Sequence, residues 1–315
     1  MKKRISRLAS FLLALVLLVG CQAKTKPADK TGADKTSTDK KVVTVTTSFI
    51  YDAVKEIAGD KVDIKLVIPY GEDPHLYHAK PEDLKKIKEA DLVLYHGLHF
   101  EGKMVDVLEK KGHAITKDFK DDELIYLDEE GSKVVDPHFW FDIDLYKKAV
   151  KNVASELETL IPDEKENFEK NYTAYEEKLD QLKIELSEKI NQIPEGSRYL
   201  ITPHDAFNYF SRLFKMEVVA PQGVSTDSEV SNADIEKTAE FIVKNKIKAI
   251  FTESTTNPEK MKKLQEICKA KGFEVKVVSG EGQELYSDSL ADKGEGHTYI
   301  DMYRQNVDLI VNNLK

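Results

Sequence analysis

From Val42 onward, short apolar runs alternate with longer stretches in which apolar residues recur every three or four positions. VVTVTT, KVDIKLVIP and ADLVLYH have the length and β-branched content of strands. FIYDAVKEIAG, PEDLKKIKEA and EGKMVDVLEKKG carry the helical period. Pro81 suits the first turn of its helix, where its missing N–H costs nothing, and Gly112 stops the third helix. Strands alternating with helices predict an α/β lobe built on a mostly parallel sheet with helices on its faces.

Residues 144 to about 192 read as one helical region interrupted only at IPDEK, where Pro162 fits the start of a new helix. Glu164 to Ile193 holds neither Gly nor Pro, and Phe168, Tyr172, Tyr175, Leu179, Leu182 and Leu186 fall at helical steps. A helix of ~28 residues is about 42 Å long. That exceeds what one small lobe needs and suggests a stiff connector running along two. Beyond it the first pattern returns. RYLITPHDAFNYFSRLF echoes VTVTTSFIYDAVKEIAG, KMEVVAPQGVSTD echoes VDIKLVIPYGED, and Lys-Met recurs at 103–104 and 260–261. The expected plan is therefore an N-terminal lobe over 42–162, a connecting helix over 163–193 and a similar C-terminal lobe over 194–315, with a ligand in the cleft between them.

The first twenty residues are different in kind. MKKRISR is basic and LASFLLALVLLVG is apolar, too short for the ~20 residues of a membrane span. Together they read as a secretory signal over 1–20. The ending LLVGC resembles a bacterial lipobox, which implies cleavage before Cys21 and acylation of that residue. Two or three acyl chains anchor a protein stably, whereas one does not. Residues 21–41 have no large apolar side chain and read as a tether that cannot offset its own ordering entropy. The expected location is the extracytoplasmic face of a bacterial membrane, lipid-anchored through Cys21.

Composition narrows the partners. Of 315 residues, 41% are hydrophobic, enough for a real core, and the net charge is −9. Lys2, Lys3, Arg4 and Arg7 lie in the signal segment, so the rest is more acidic still, and a nucleic-acid partner is disfavoured. Two cysteines, Cys21 and Cys268, exclude a disulfide framework and a Cys-rich zinc site.

Three of the eight histidines follow proline, at His75, His138 and His204. Free placement of ten prolines and eight histidines in 315 residues predicts roughly 0.25 such pairs. Two of the three extend to Asp-Pro-His, at 73–75 and 136–138. Helical patterning follows each, so the three are expected on loops at strand ends that face the cleft. Three converging imidazoles make a transition-metal site, and each must be neutral to bind. A fourth ligand is expected in VSGEGQELYSDSLAD, where Glu281, Glu284, Asp288 and Asp292 are equally open.

IPYGEDPHLY, DPHFWFDIDL, TPHDAFNYFSR, QGVST and LYSDSL, in that order, resemble the motifs of the metal-binding lipoproteins of bacterial zinc and manganese ABC transporters, the cluster A-I or TroA-like solute-binding proteins. The resemblance covers residues 42–315 and the lipobox. It implies two α/β lobes joined by one long rigid helix, with the metal in the interlobe cleft. It also implies His75, His138, His204 and Asp288 as ligands, no enzymatic activity, a membrane permease as partner and a monomer. Relatives dedicated to manganese typically carry Glu at the third position; His204 stands there and makes the site richer in nitrogen, favouring zinc first and manganese second. The long His-rich loop of many zinc-dedicated relatives is missing, since PEDLKK follows His75 closely. Relatives were also described as adhesins, which gives the alternative of a surface adhesin with a structural metal. A zinc hydrolase is disfavoured because four protein ligands leave no open position and no H-E-x-x-H occurs.

Other signals are weaker. GLHFEGKM at 97–104 has the G-x-x-x-x-G-K spacing but Met104 where a phosphate loop needs Ser or Thr. His78 is expected at the surface, His96 and His99 packed or hydrogen-bonded near the cleft, and His113 and His297 exposed. Cys268 should lie on a buried helix face, and Phe139, Trp140 and Phe141 could shield the metal from water.

Overall fold

The computed structural model describes residues 40–129 and 131–315. The expected signal segment, Cys21 and nearly all of the 21–41 tether lie outside the described residues. Among the described residues no helix is long and apolar enough to cross a membrane.

The first lobe is organised by β1 (Lys41–Val45), whose valines alternate into the core. It pairs in parallel with β2 (Val62–Leu66) on one side and β3 (Leu92–Tyr95) on the other, and β4 (His113–Ala114) completes the order β2-β1-β3-β4. Parallel strands need crossovers, and these are α1 (Ser48–Ala58), α2 (Pro81–Glu89) and α3 (Val105–Lys111). Helix α1 buries Phe49, Ile50, Ala53, Val54 and Ile57 on one face and ends at Gly59, whose φ of 57° only glycine adopts freely. Helix α2 begins at Pro81, and the Asp83 carboxylate accepts the Lys80 N–H.

An antiparallel hairpin, β5 (Tyr126–Glu129) with β6 (Ser132–Val135), then leads into the 138–141 segment. The expectation that every Pro-His loop follows a parallel strand therefore needs correction: His138 follows this hairpin. The hairpin is only half-buried, so its sequence lacks the apolar run that marks the parallel strands.

Helix α4 (Ile143–Leu160) starts on Asp142, which caps the Asp144 and Leu145 N–H groups. A short 3-10 turn, Pro162–Glu164, separates it from α5 (Lys165–Ile190). At 26 residues α5 is about 39 Å long. Its buried stripe is Phe168, Tyr175, Leu179, Leu182, Leu186 and Ile190. That stripe packs against α1 and α4 and, further along, against α9 (Tyr299–Leu314), so one helix serves both lobes.

The second lobe repeats the scheme with shorter strands. β7 (Tyr199–Ile201) pairs in parallel with β8 (Glu217–Val219), and β9 (Ala249–Phe251) with β10 (Lys276–Val278). Their helices are α6 (Asn208–Phe214), α7 (Asn232–Asn245) and α8 (Glu259–Ala270). Single parallel bridges, His204 to Gln222 and Glu253 to Leu285, prolong both pairs past the strand ends toward the cleft. Cys268 is fully buried on α8 beside Leu264 and Met261.

Candidate metal centre

Each Pro-His motif is built differently. After β2 the chain stays beside β1, with Val67 and Ile68 N–H donating to Val45 and Thr46 carbonyls, and then turns. The Asp73 carboxylate accepts the His75 N–H at 2.9 Å and fixes that turn. Its other oxygen accepts the Thr226 hydroxyl of the opposite lobe at 2.5 Å. The His75 ring meets the Phe100 ring edge to face, with centroids 5.0 Å apart.

At His138 the same Asp-x-His spacing does more. Asp136 Oδ1 accepts the His138 N–H at 2.9 Å and lies 2.7 Å from ring Nδ1. Asp136 is itself held, its carbonyl by the Tyr209 hydroxyl and its Oδ2 by Asn208. His204 sits just past β7, and Glu253, just past β9, lies with Oε2 2.5 Å from His204 Nδ1. Ser287 Oγ donates to the same Glu253 oxygen at 2.9 Å. An ionised carboxylate only accepts, so a hydrogen on Nδ1 suits both contacts and leaves Nε2 of each ring free to accept or to hold a metal.

Asp288 lies in the loop after β10, and the first lobe pins it on both flanks. Trp140 Nε1 donates to the Ser287 carbonyl, the Leu290 N–H donates to Ser48 Oγ, and the Gly71 N–H donates to Ser289 Oγ. Its carboxylate therefore enters the cleft at a fixed height.

The three imidazoles and Asp288 converge. Asp288 Oδ1 is 3.3 Å from His138 Nε2; Oδ2 is 3.2 Å from His204 Nε2 and 4.0 Å from His75 Nε2. One donor atom from each of the four lies within 4.8 Å of the others. Bonds of ~2.1 Å in a tetrahedron put neighbouring donors ~3.4 Å apart, close to these separations. All three Nε2 atoms and both Asp288 oxygens are buried without a hydrogen-bond partner. Leaving five such atoms unsatisfied is costly, and one divalent cation satisfies them together.

The charges point the same way. Burial opposes a charged His138, but Asp136 and Asp288 outweigh it and push the ring up to about 9. Burial likewise opposes the His204 cation, and Glu253 and Asp288 raise it well above the usual imidazole range. Burial would raise Asp288, yet His204 and His138 hold it well below the carboxylate range. Burial brings His75 down to about 3 against the pull of Asp288. Without an ion the buried carboxylates favour protons on two of the rings, and a divalent cation could take their place.

Of the four open acidic residues, Asp288 is the one that meets the histidines. Glu281 and Asp292 are exposed, while Glu284 is part-exposed. His78, His99, His113 and His297 are exposed. His96 is buried against Phe100 and Trp140, with Nε2 2.7 Å from Thr47 Oγ1. Phe139, Trp140 and Phe141 are buried, and Trp140 lies edge-on to His138. Sequence reasoning missed Glu253. Its one signal was its place at the end of a strand that echoes the first lobe, in FTES.

Comparison with known proteins gives a consistent picture. The family model described as zinc-uptake complex component A, periplasmic (ZnuA), matches residues 43–313. The manganese-binding lipoprotein MntA of Bacillus subtilis is 38% identical over 315 residues, covering 98% of each chain. The zinc-binding protein TroA of Treponema pallidum is 38% identical over 312 residues, 97% of each, and its solved structure superposes with a TM-score of 0.83 over 87% of this chain and 99% of that one. A TroA structure from work on metal-binding specificity superposes with a TM-score of 0.87 at 57% identity, covering 88% of this chain and 100% of that one.

Proposed function

The chain belongs to the periplasmic zinc-uptake component A family, and from that premise we propose that it is the extracytoplasmic receptor of an ABC transporter, capturing a divalent transition metal between its lobes and handing it to a membrane permease. His75, His138, His204 and Asp288 are the ligands in this reading. The observation that carries it is the meeting of five partnerless buried donor atoms from four residues at one point.

Three nitrogens and one carboxylate suit zinc best, with manganese second. Both Asp288 oxygens face the site, which leaves room for the higher coordination that manganese prefers. Four protein ligands close a tetrahedral site, so the centre holds a cargo and has no open position for hydrolysis. Acylated Cys21 would tether the folded body as a monomer to the extracytoplasmic face of the cell membrane. Helix α5, packed on both lobes, favours a small rigid adjustment over a wide hinge swing on loading.

The test is titration of the metal-free chain with zinc and with manganese, followed by thermal unfolding. Zinc at 100 times its Kd adds about 2.7 kcal/mol of stability. His204→Ala is expected to keep its fold and lose more than ~100-fold in zinc affinity, a larger loss than removing an outer partner causes. Wild-type affinity in that variant would remove the proposed site.

A further inference from the structure

Resting on the metal-site reading, we infer that the ion enters and leaves through the groove beside His75, on the side of the β5–β6 hairpin.

The four ligands are not held alike. His138 and His204 each have a buried carboxylate against Nδ1, from Asp136 and Glu253, which fixes the rotation of both rings. Asp288 is pinned through Ser287, Ser289 and Leu290. Asp73 occupies the place that Asp136 has in the other Asp-Pro-His, but it accepts only the His75 backbone N–H and turns its second oxygen to Thr226. The His75 ring is thus seated by packing, chiefly on Phe100. Among the four, all buried, it alone keeps any accessible surface, 3% against 0% for the other three.

His75 also lines a groove of about 710 Å³, walled by Gly97, Tyr126, Val134, Val135 and Ser225. Two other approaches are filled. Phe100 and Trp140, tilted to each other with centroids 4.7 Å apart, both pack against the His138 ring. On the opposite rim Ser48, Ser289 and Gly71 are bonded across the lobes. Over the groove, Val224 and Ser225 form a roof held by the Glu129 carboxylate on the Val224 N–H, by Asp73 on Thr226, and by Lys103 on Asp227. A ring held by packing alone, beside a groove with a side-chain-latched roof, makes the opening of least resistance.

The experiment uses the whole chain and zinc alone, with stopped-flow uptake and chelator-driven release. Ser225→Trp and Val134→Trp fill the groove from opposite walls without touching a ligand, and Ser225→Ala removes the hydroxyl without filling it. Both Trp variants should take up and release zinc at least tenfold more slowly, by matching factors, with Kd within about twofold of the parent; Ser225→Ala should exchange normally. Parent rates in both Trp variants, or weaker binding through faster release alone, would overturn the route. A parent chain that binds no zinc would instead overturn the metal-site reading beneath it.

Discussion

The two Asp-Pro-His motifs show how one short sequence acquires two functions from its surroundings. Asp136 reaches the ring of His138, whereas Asp73 is drawn off by Thr226 across the cleft. The motif was legible in the sequence, but the difference depends on a residue 153 positions away. Glu253 was illegible for the same reason, because its partner His204 is its neighbour only across parallel strands. Asp288 could be separated from three other acids by resemblance alone; its pinning by Trp140, Ser48 and Gly71 is long-range. Glu253→Gln tests the outer carboxylate. It should weaken zinc binding about 10–100-fold at pH 8, as loss of such a partner does elsewhere. Glu253 also helps a proton compete for His204, despite the opposing effect of burial. Removing it lowers that competition, so the gap between variant and parent should narrow as the pH falls from 8 to 6. Zinc Kd measured across that range decides; a gap that widens at low pH would contradict the assignment.

At the scale of elements, the helices and parallel strands of the first lobe were readable from period and punctuation, because each buries one face. The β5–β6 hairpin was not, since half-exposed four-residue strands leave little apolar signal. The 97–102 loop was readable only as something it is not. Its Gly97 and Gly102 are needed for backbone geometry: φ is positive at Gly97, Leu98, His99 and Gly102. Such conformations cost roughly 1–2 kcal/mol at each non-glycine residue. Glu101 offsets this by accepting the Thr46 hydroxyl at 2.7 Å and the His96 N–H at 2.6 Å. Its burial pushes the carboxyl up to about 7. The loop in turn supports His75, for a Cβ on Gly102 would strike the His75 carbonyl oxygen. Gly102→Ala should therefore cost about 1–3 kcal/mol of stability by overpacking. It should also weaken zinc binding although it removes no ligand. Denaturant unfolding and zinc titration read the two effects; lost stability with intact affinity would show that the loop supports the fold and not the ligand.

At the scale of the whole molecule, the internal echo predicted two lobes on one helix, and a few specific contacts fasten them together. Exposed pairs join α5 to the first lobe through Lys178–Glu56 and to α9 through Arg304–Glu185. Each contributes little in water. Asp52 on α1 does more, since its Oδ2 accepts the Tyr299 N–H at the start of α9 at 3.0 Å and the Tyr175 hydroxyl of α5 at 3.4 Å. One carboxyl thus ties the first lobe, the connector and the last helix. Its burial pushes it up from 3.8 to about 6, against the pull of the Tyr299 N–H. The folded chain then holds this proton more tightly than the unfolded chain. That contribution is complete below pH 4 and is lost as the pH rises through 6, a change of about 3 kcal/mol. Asp52→Asn keeps an acceptor for both donors and never ionises. In metal-free protein its stability relative to the parent should rise by about 3 kcal/mol between pH 4 and pH 8. Because the ligands are unchanged, their own titration cancels in that difference. Denaturant midpoints for the two chains running parallel across this range would mean that the tie is held by a carboxyl already ionised at low pH, and that burial at this junction is too shallow to brace the lobes.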